Sequence, residues 1–134
     1  MTWIVDHIKG LMLLAGALTS TLLLAAISPQ AALQATVGDT VQGPLAERVV
    51  RSWGVLVALV GAMQLYGAYH PAQRPLVLVV AGVSKLVFVA LVLAQGSRYL
   101  GSAGPALAVD ALWVVVFAAY LWALRTDNRR TCAT

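Results

Sequence analysis

Four runs of about twenty apolar residues, each long enough to cross a hydrocarbon core as a helix, decide what this chain can fold into. They are "IKGLMLLAGALTSTLLLAAI" at about 8–27, "VVRSWGVLVALVGAMQLYGAY" at about 49–69, "LVLVVAGVSKLVFVALVLAQ" at about 76–95 and "PALAVDALWVVVFAAYLWAL" at about 105–124. Pro29, Pro44, Pro71, Pro75 and Pro105 fall at the boundaries, where a residue that cannot continue a helix is welcome in its first turn. Only 10% of the residues are charged, against about a quarter in soluble domains, so water is a poor solvent for this chain. The expected fold is all-α: one domain over 1–134, an integral membrane four-helix bundle running up-down-up-down, with a polar tail at 125–134. A cleaved leader ending at "AIS" is disfavoured, because Pro29 would follow the cut.

An even number of crossings puts both termini on one side. Lys9, Arg74, Arg125, Arg129 and Arg130 share that side, against Arg48, Arg51 and Arg98 opposite. Five against three predicts cytoplasmic termini and a place in the cell inner membrane. Trp3, Trp53, Tyr69, Tyr99 and Trp122 fall near predicted helix ends, where aromatic rings prefer the interface. The long outer connection has a run, about 30–36, that reads as a short interfacial helix. Small residues predict the packing faces: Gly16 and Ser20 with Ala17 and Thr21 on the first helix, and Gly54, Ala58, Gly61 and Ala62 on the Arg51 side of the second.

Lys85 stands near the middle of the third run, where a charge costs about 2.5–3.5 kcal/mol on insertion scales. Asp110 on the fourth helix is the counter-ion expected for it. With that helix starting at Pro105, Asp110 lies about 7 Å in, and Lys85 about 15 Å from the matching end of its own helix. A lysine reaching outward would close that gap. Arg51, with Glu47 one turn before it, enters the same layer. The expectation is a charge-balanced cluster of Glu47, Arg51, Lys85 and Asp110, either a neutral network fixing register or the polar wall of a pocket. Trp113 and Phe117, with Tyr120 at the edge, would extend it as an aromatic stripe suited to an amphiphile.

Other chemistry is missing from the sequence. The nine Lys and Arg are dispersed, which excludes the clustered face of a nucleic-acid binder. Cys132 is a single tail thiol, so a redox pair is absent. There is no HExxH, no Cys/His metal spacing, no GxSxG and no phosphate loop, and no cofactor or metal is called for. His7 and His70 read as interfacial residues rather than haem ligands. Ser84 points about 100° away from Lys85 and forms no dyad with it. Gln64 lies off the Arg51 face, as an interhelical hydrogen-bonding group or part of a different interface.

"AERVVRSWG", "YGAYHPAQRP", "VSKLVFVALVL" and "AVDALWVVVFAAYL" together resemble the small bacterial four-helix membrane proteins grouped as DoxX-like or as uncharacterised membrane domains. The resemblance implies a quinone-related or partner-subunit role and transfers no catalytic residue. Three readings stand. The first is binding of a lipid-like or isoprenoid-like small molecule, or service as a complex subunit, through Arg51, Lys85, Asp110, Glu47, Trp113 and Phe117. The second is a structural self-association module, with membrane lipids and a second copy or partner subunit around it. The third is a proton-coupled transporter or membrane enzyme using Asp110 or Glu47, the only reading that would make it an enzyme.

Overall fold

The computed structural model describes residues 2–40, 42–94 and 100–131. Among them the chain is almost wholly helical: α1 (Thr2–Ser20), a 3-10 turn (Thr21–Leu23), α2 (Leu24–Ile27), α3 (Pro29–Val37), α4 (Pro44–Tyr69), a 3-10 turn (Pro71–Gln73), α5 (Arg74–Ala94) and α6 (Leu100–Thr131). Four stretches, Trp3–Ile27, Pro44–Tyr69, Pro71–Ala94 and Gly101–Thr126, are long and apolar enough to cross a membrane. Each packs against the next, and α6 returns to α1, which closes a four-helix bundle. The predicted end of the third helix at Gln95, together with Arg98, Tyr99 and Cys132, lies outside the described residues.

The boundaries follow local chemistry. Pro29 and Pro44 open α3 and α4 in the first turn, where a missing N–H leaves no bond unmade. Gly38 ends α3 in the left-handed conformation (φ 69°), its N–H reaching the Leu33 and Gln34 carbonyls, and a side chain there would strike Ser102 of α6. The short helix α3 thus spans Pro29–Val37, slightly longer than expected, and packs on α4 and α6 across one end of the bundle. At the other end Arg74 donates from Nε to the Gly67 carbonyl (3.2 Å) and from Nη2 to the Ala68 carbonyl (2.9 Å). These are last-turn carbonyls of α4, and the guanidinium ties the α4–α5 corner together. Arg74→Ala should lower unfolding stability by about 1–2 kcal/mol, read from denaturant titration in detergent. An unchanged midpoint would mean that water serves those carbonyls equally well.

Along α1 and α4 buried positions recur at intervals of three, four or seven residues. On α1 they are Ile8, Met12, Ala15 and Thr19; on α4 Gly54, Ala58, Gly61 and Ala68. On α5 the sequence runs Leu78, Ala81, Lys85, Phe88 and Val92, with Lys85 and Phe88 partly covered. Steps of three and four residues keep one seam of a helix turned to its neighbours. The seam of α1 against α4 is the tightest. A Cβ on Gly16 would stand 2.9 Å from the Gly61 carbonyl oxygen, and one on Gly61 would stand 2.8 Å from the Ser20 backbone nitrogen. Gly16, Ser20, Gly54, Ala58 and Gly61 therefore pack as expected. Ala17, Thr21 and Ala62 do not: all three are exposed, because they lie one position off the seam.

Two apolar cores form along the bundle. Ile8, Met12, Ala15, Ala68, Val77, Leu78, Ala81, Trp113, Phe117 and Tyr120, from all four spans, make the larger. Val92, Ala103 and Leu107, joined by Phe88 and Val89, make a second between α5 and α6 alone. Between these cores the helices enclose something other than packed side chains.

Candidate functional site

Lys85 Nζ donates to Asp110 Oδ1 at 2.5 Å, and the side chains are only 11% and 19% exposed. The pair arises from register. Val92 of α5 meets Ala103 and Leu107 of α6, and moving seven residues back from Val92 and seven forward from Ala103 arrives at Lys85 and Asp110. Helix α6 begins at Leu100, five residues before the predicted start, with Pro105 inside it. Asp110 is therefore ten residues in, about 15 Å, and Lys85 is nine residues from Ala94, about 14 Å. The two backbones stand nearly level, and the lysine need not reach outward as expected.

Around the pair lies a cavity of about 740 Å³. Leu18, Thr19, Thr21 and Leu22 line it from the first span, Trp53, Leu56, Val57, Val60 and Gln64 from α4, Ala81, Ser84, Lys85, Val87, Phe88 and Leu91 from α5, and Pro105, Ala106, Val109, Asp110 and Trp113 from α6. Ala35 and Thr36 of α3 close one end. Helices α4 and α5 touch where Gly67 approaches Val77, whereas further along both contribute to the cavity wall. There the lining residues Leu56, Val87 and Leu91 are each more than half exposed. Most of the wall is apolar. Its charges cancel.

The other members of the expected cluster lie elsewhere. Arg51 is exposed and donates from Nη1 to the Ala26 carbonyl at 2.8 Å, holding α4 to the end of α2. It faces a small separate cleft with Arg48, Ser52, Val55 and Leu56. Glu47 accepts from Gln30 Nε2 at 3.3 Å, and no Glu47–Arg51 pair forms because each side chain has turned to the outer connection that packs beside α4. That connection was the unknown in the sequence. Trp113 lines the cavity as expected, while Phe117, 1% exposed, turns into the larger core beside it with ring centroids 5.8 Å apart. Tyr120 is in that core as well. Lys85, Asp110 and Trp113 are thus brought together; Arg51, Glu47 and Phe117 are not.

Gln64 is the residue whose role the sequence left undecided. Its side chain is 0% exposed, lines the cavity, and neither Nε2 nor Oε1 has a hydrogen-bond partner. Polarity within an apolar run was the available signal; its neighbours depend on how closely α1 approaches α4. The histidines keep to the helix ends: His7 stacks on Trp3 and shares a hydrogen bond with the Trp3 carbonyl, and His70 repeats the arrangement on Tyr66. Among the described residues no group of His, Cys, Asp and Glu could hold a metal ion.

Fold and cavity together define a class: a small helical bundle with four potential membrane spans, holding one neutral ion pair beside an interior apolar chamber. Within that class, no family model, no curated protein and no solved structure matches the chain.

Proposed function

We propose that this protein binds a lipid-like or isoprenoid-like amphiphile in the cavity, its polar group at Lys85 and Asp110 and its apolar body against Trp113, Phe88 and Leu91. The observation that carries this reading is a mutually neutralised ion pair in the wall of an otherwise apolar chamber of about 740 Å³. The exposure of the lining residues Leu56 on α4 and Val87 and Leu91 on α5 favours loading from the bilayer between those helices. The bundle would sit in the cell inner membrane, left-handed and up-down-up-down, with both termini cytoplasmic; the bias of Lys and Arg favours that orientation. The resemblance to DoxX-like proteins is compatible with this reading, as is a place beside a partner subunit or a second copy.

Native mass spectrometry of the gently extracted protein tests the proposal and reports oligomeric state in the same spectrum. Wild type should carry a lipid adduct of defined mass, and Lys85→Met should lose most of it. An adduct-free wild type, or an adduct indifferent to Lys85, would remove the binding function. The structural reading would then stand, since the pair sits on the inward seam between two cores and could serve only to set register.

A further inference from the structure

The cavity has a second polar anchor. We infer that its occupant is a net-neutral amphiphile with two hydrogen-bonding groups, one at the Lys85–Asp110 pair and one that meets the Gln64 carboxamide; this rests on the binding function proposed above. A buried amide with neither atom paired is rare in a packed protein, because desolvation is then uncompensated. Gln64 lines the cavity with its amide unpartnered at both Nε2 and Oε1 and closed off as it stands, so a turn of its outer torsions is what brings the amide to the occupant. It can both donate and accept, so a hydroxyl, carbonyl or amide would satisfy it.

Register sets where that second group must be. Gly67 touches Val77. Gln64 is three residues from Gly67 and Lys85 eight from Val77, so the Gln64 backbone lies about 7–8 Å along the bundle from that of Lys85, towards the α4–α5 corner. Neutrality follows from the pair itself. Lys85 and Asp110 already compensate each other, and a charged ligand group would leave one of the three charges unmatched in an apolar chamber. A simple single-headed lipid leaves Gln64 unmet; a molecule with a second, inner polar function does not.

Matched probes test this. 1-Decanol, decane-1,6-diol and 6-hydroxydecanoate, whose second oxygen matches that offset, are titrated into delipidated protein in detergent, with binding read by native mass spectrometry and by the fluorescence of Trp53 and Trp113, both in the cavity wall. Gln64→Met keeps the side-chain length and removes the amide, and Gln64→Leu is the second variant. The diol should weaken about tenfold in both, one hydrogen bond to an otherwise orphaned group, while decanol binding is unchanged and certifies a folded cavity. Equal losses for diol and decanol, or none for either, would overturn the second anchor while leaving amphiphile binding intact. Tighter binding of the carboxylate than of the diol would overturn neutrality. Failure of all three probes to bind wild type would overturn the inference together with the function on which it rests.

Discussion

Asp110→Leu should be among the most destabilising single changes in this protein, lowering unfolding stability by about 3–5 kcal/mol. It leaves the Lys85 ammonium, 11% exposed and flanked by apolar wall, without the carboxylate that lies 2.5 Å away. Such a charge must drag water into the cavity or turn the side chain outward, and either option disturbs the seam that carries Leu78, Ala81 and Val92 on the same helix. Lys85→Met should cost less. It strands a carboxylate, but one that is 19% exposed and so less completely desolvated than the ammonium. The double variant Lys85→Met/Asp110→Leu should recover most of the loss, because two apolar side chains of similar volume have no desolvation to offset. Denaturant titration of the four proteins in one detergent gives the coupling directly. If the two single losses simply add in the double variant, the side chains are energetically independent, whatever their distance. The cycle also separates stability from binding: a restored double variant that no longer carries lipid assigns the pair to the ligand as well as to the fold.

Gly61→Val should separate α1 from α4, at a cost of about 3 kcal/mol, the upper part of the range for overpacking. A Cβ at position 61 would meet Ser20 Oγ at 2.5 Å, the Ser20 nitrogen at 2.8 Å and the Gly16 carbonyl oxygen at 2.9 Å. Two of those three atoms are backbone, so rotamer changes cannot relieve the contact and the helix itself must move. In lipid there is no hydrophobic force to hold the displaced pair, since acyl chains solvate the exposed faces as well as leucine does. Gln64 lies one turn on, beside Gly16, and the cavity wall should open with it. Gly82→Ala on α5 is the control: its Cβ would meet nothing within 4 Å, and the change should be neutral or stabilising by up to about 1 kcal/mol through helix propensity. Thermal midpoints of both variants in the same detergent check the contrast. A tolerated Gly61→Val would show that the two helices are not in backbone contact.

The charged cluster shows how far residue types and spacing can be taken. Opposite charge, adjacent helices and depth suffice to pair Lys85 with Asp110, because neighbouring helices joined by a short connection leave little freedom in register. The depth itself was misjudged by five residues, since Pro105 lies within α6 rather than at its start. Arg51 and Glu47 are a different case. Their positions on α4 were right, but the connection before that helix folds into α2 and α3 and offers Ala26 and Gln30 as nearer partners. Phe117 shares a face with Asp110 at 100° per residue, yet seven residues is long enough for the bundle to change from cavity to core.

What the sequence determined unaided is the set of four membrane-length helices, the boundaries at Pro29, Pro44 and Pro71 and the glycines of the α1–α4 seam, because apolar length, missing N–H groups and absent side chains act locally. The cavity, the orphaned Gln64 amide and the separation of Arg51 from Lys85 were decided only by the tertiary structure. They depend on how far apart α4 and α5 stand beyond Gly67 and Val77, a distance set by all the helices packed together and encoded in no single one.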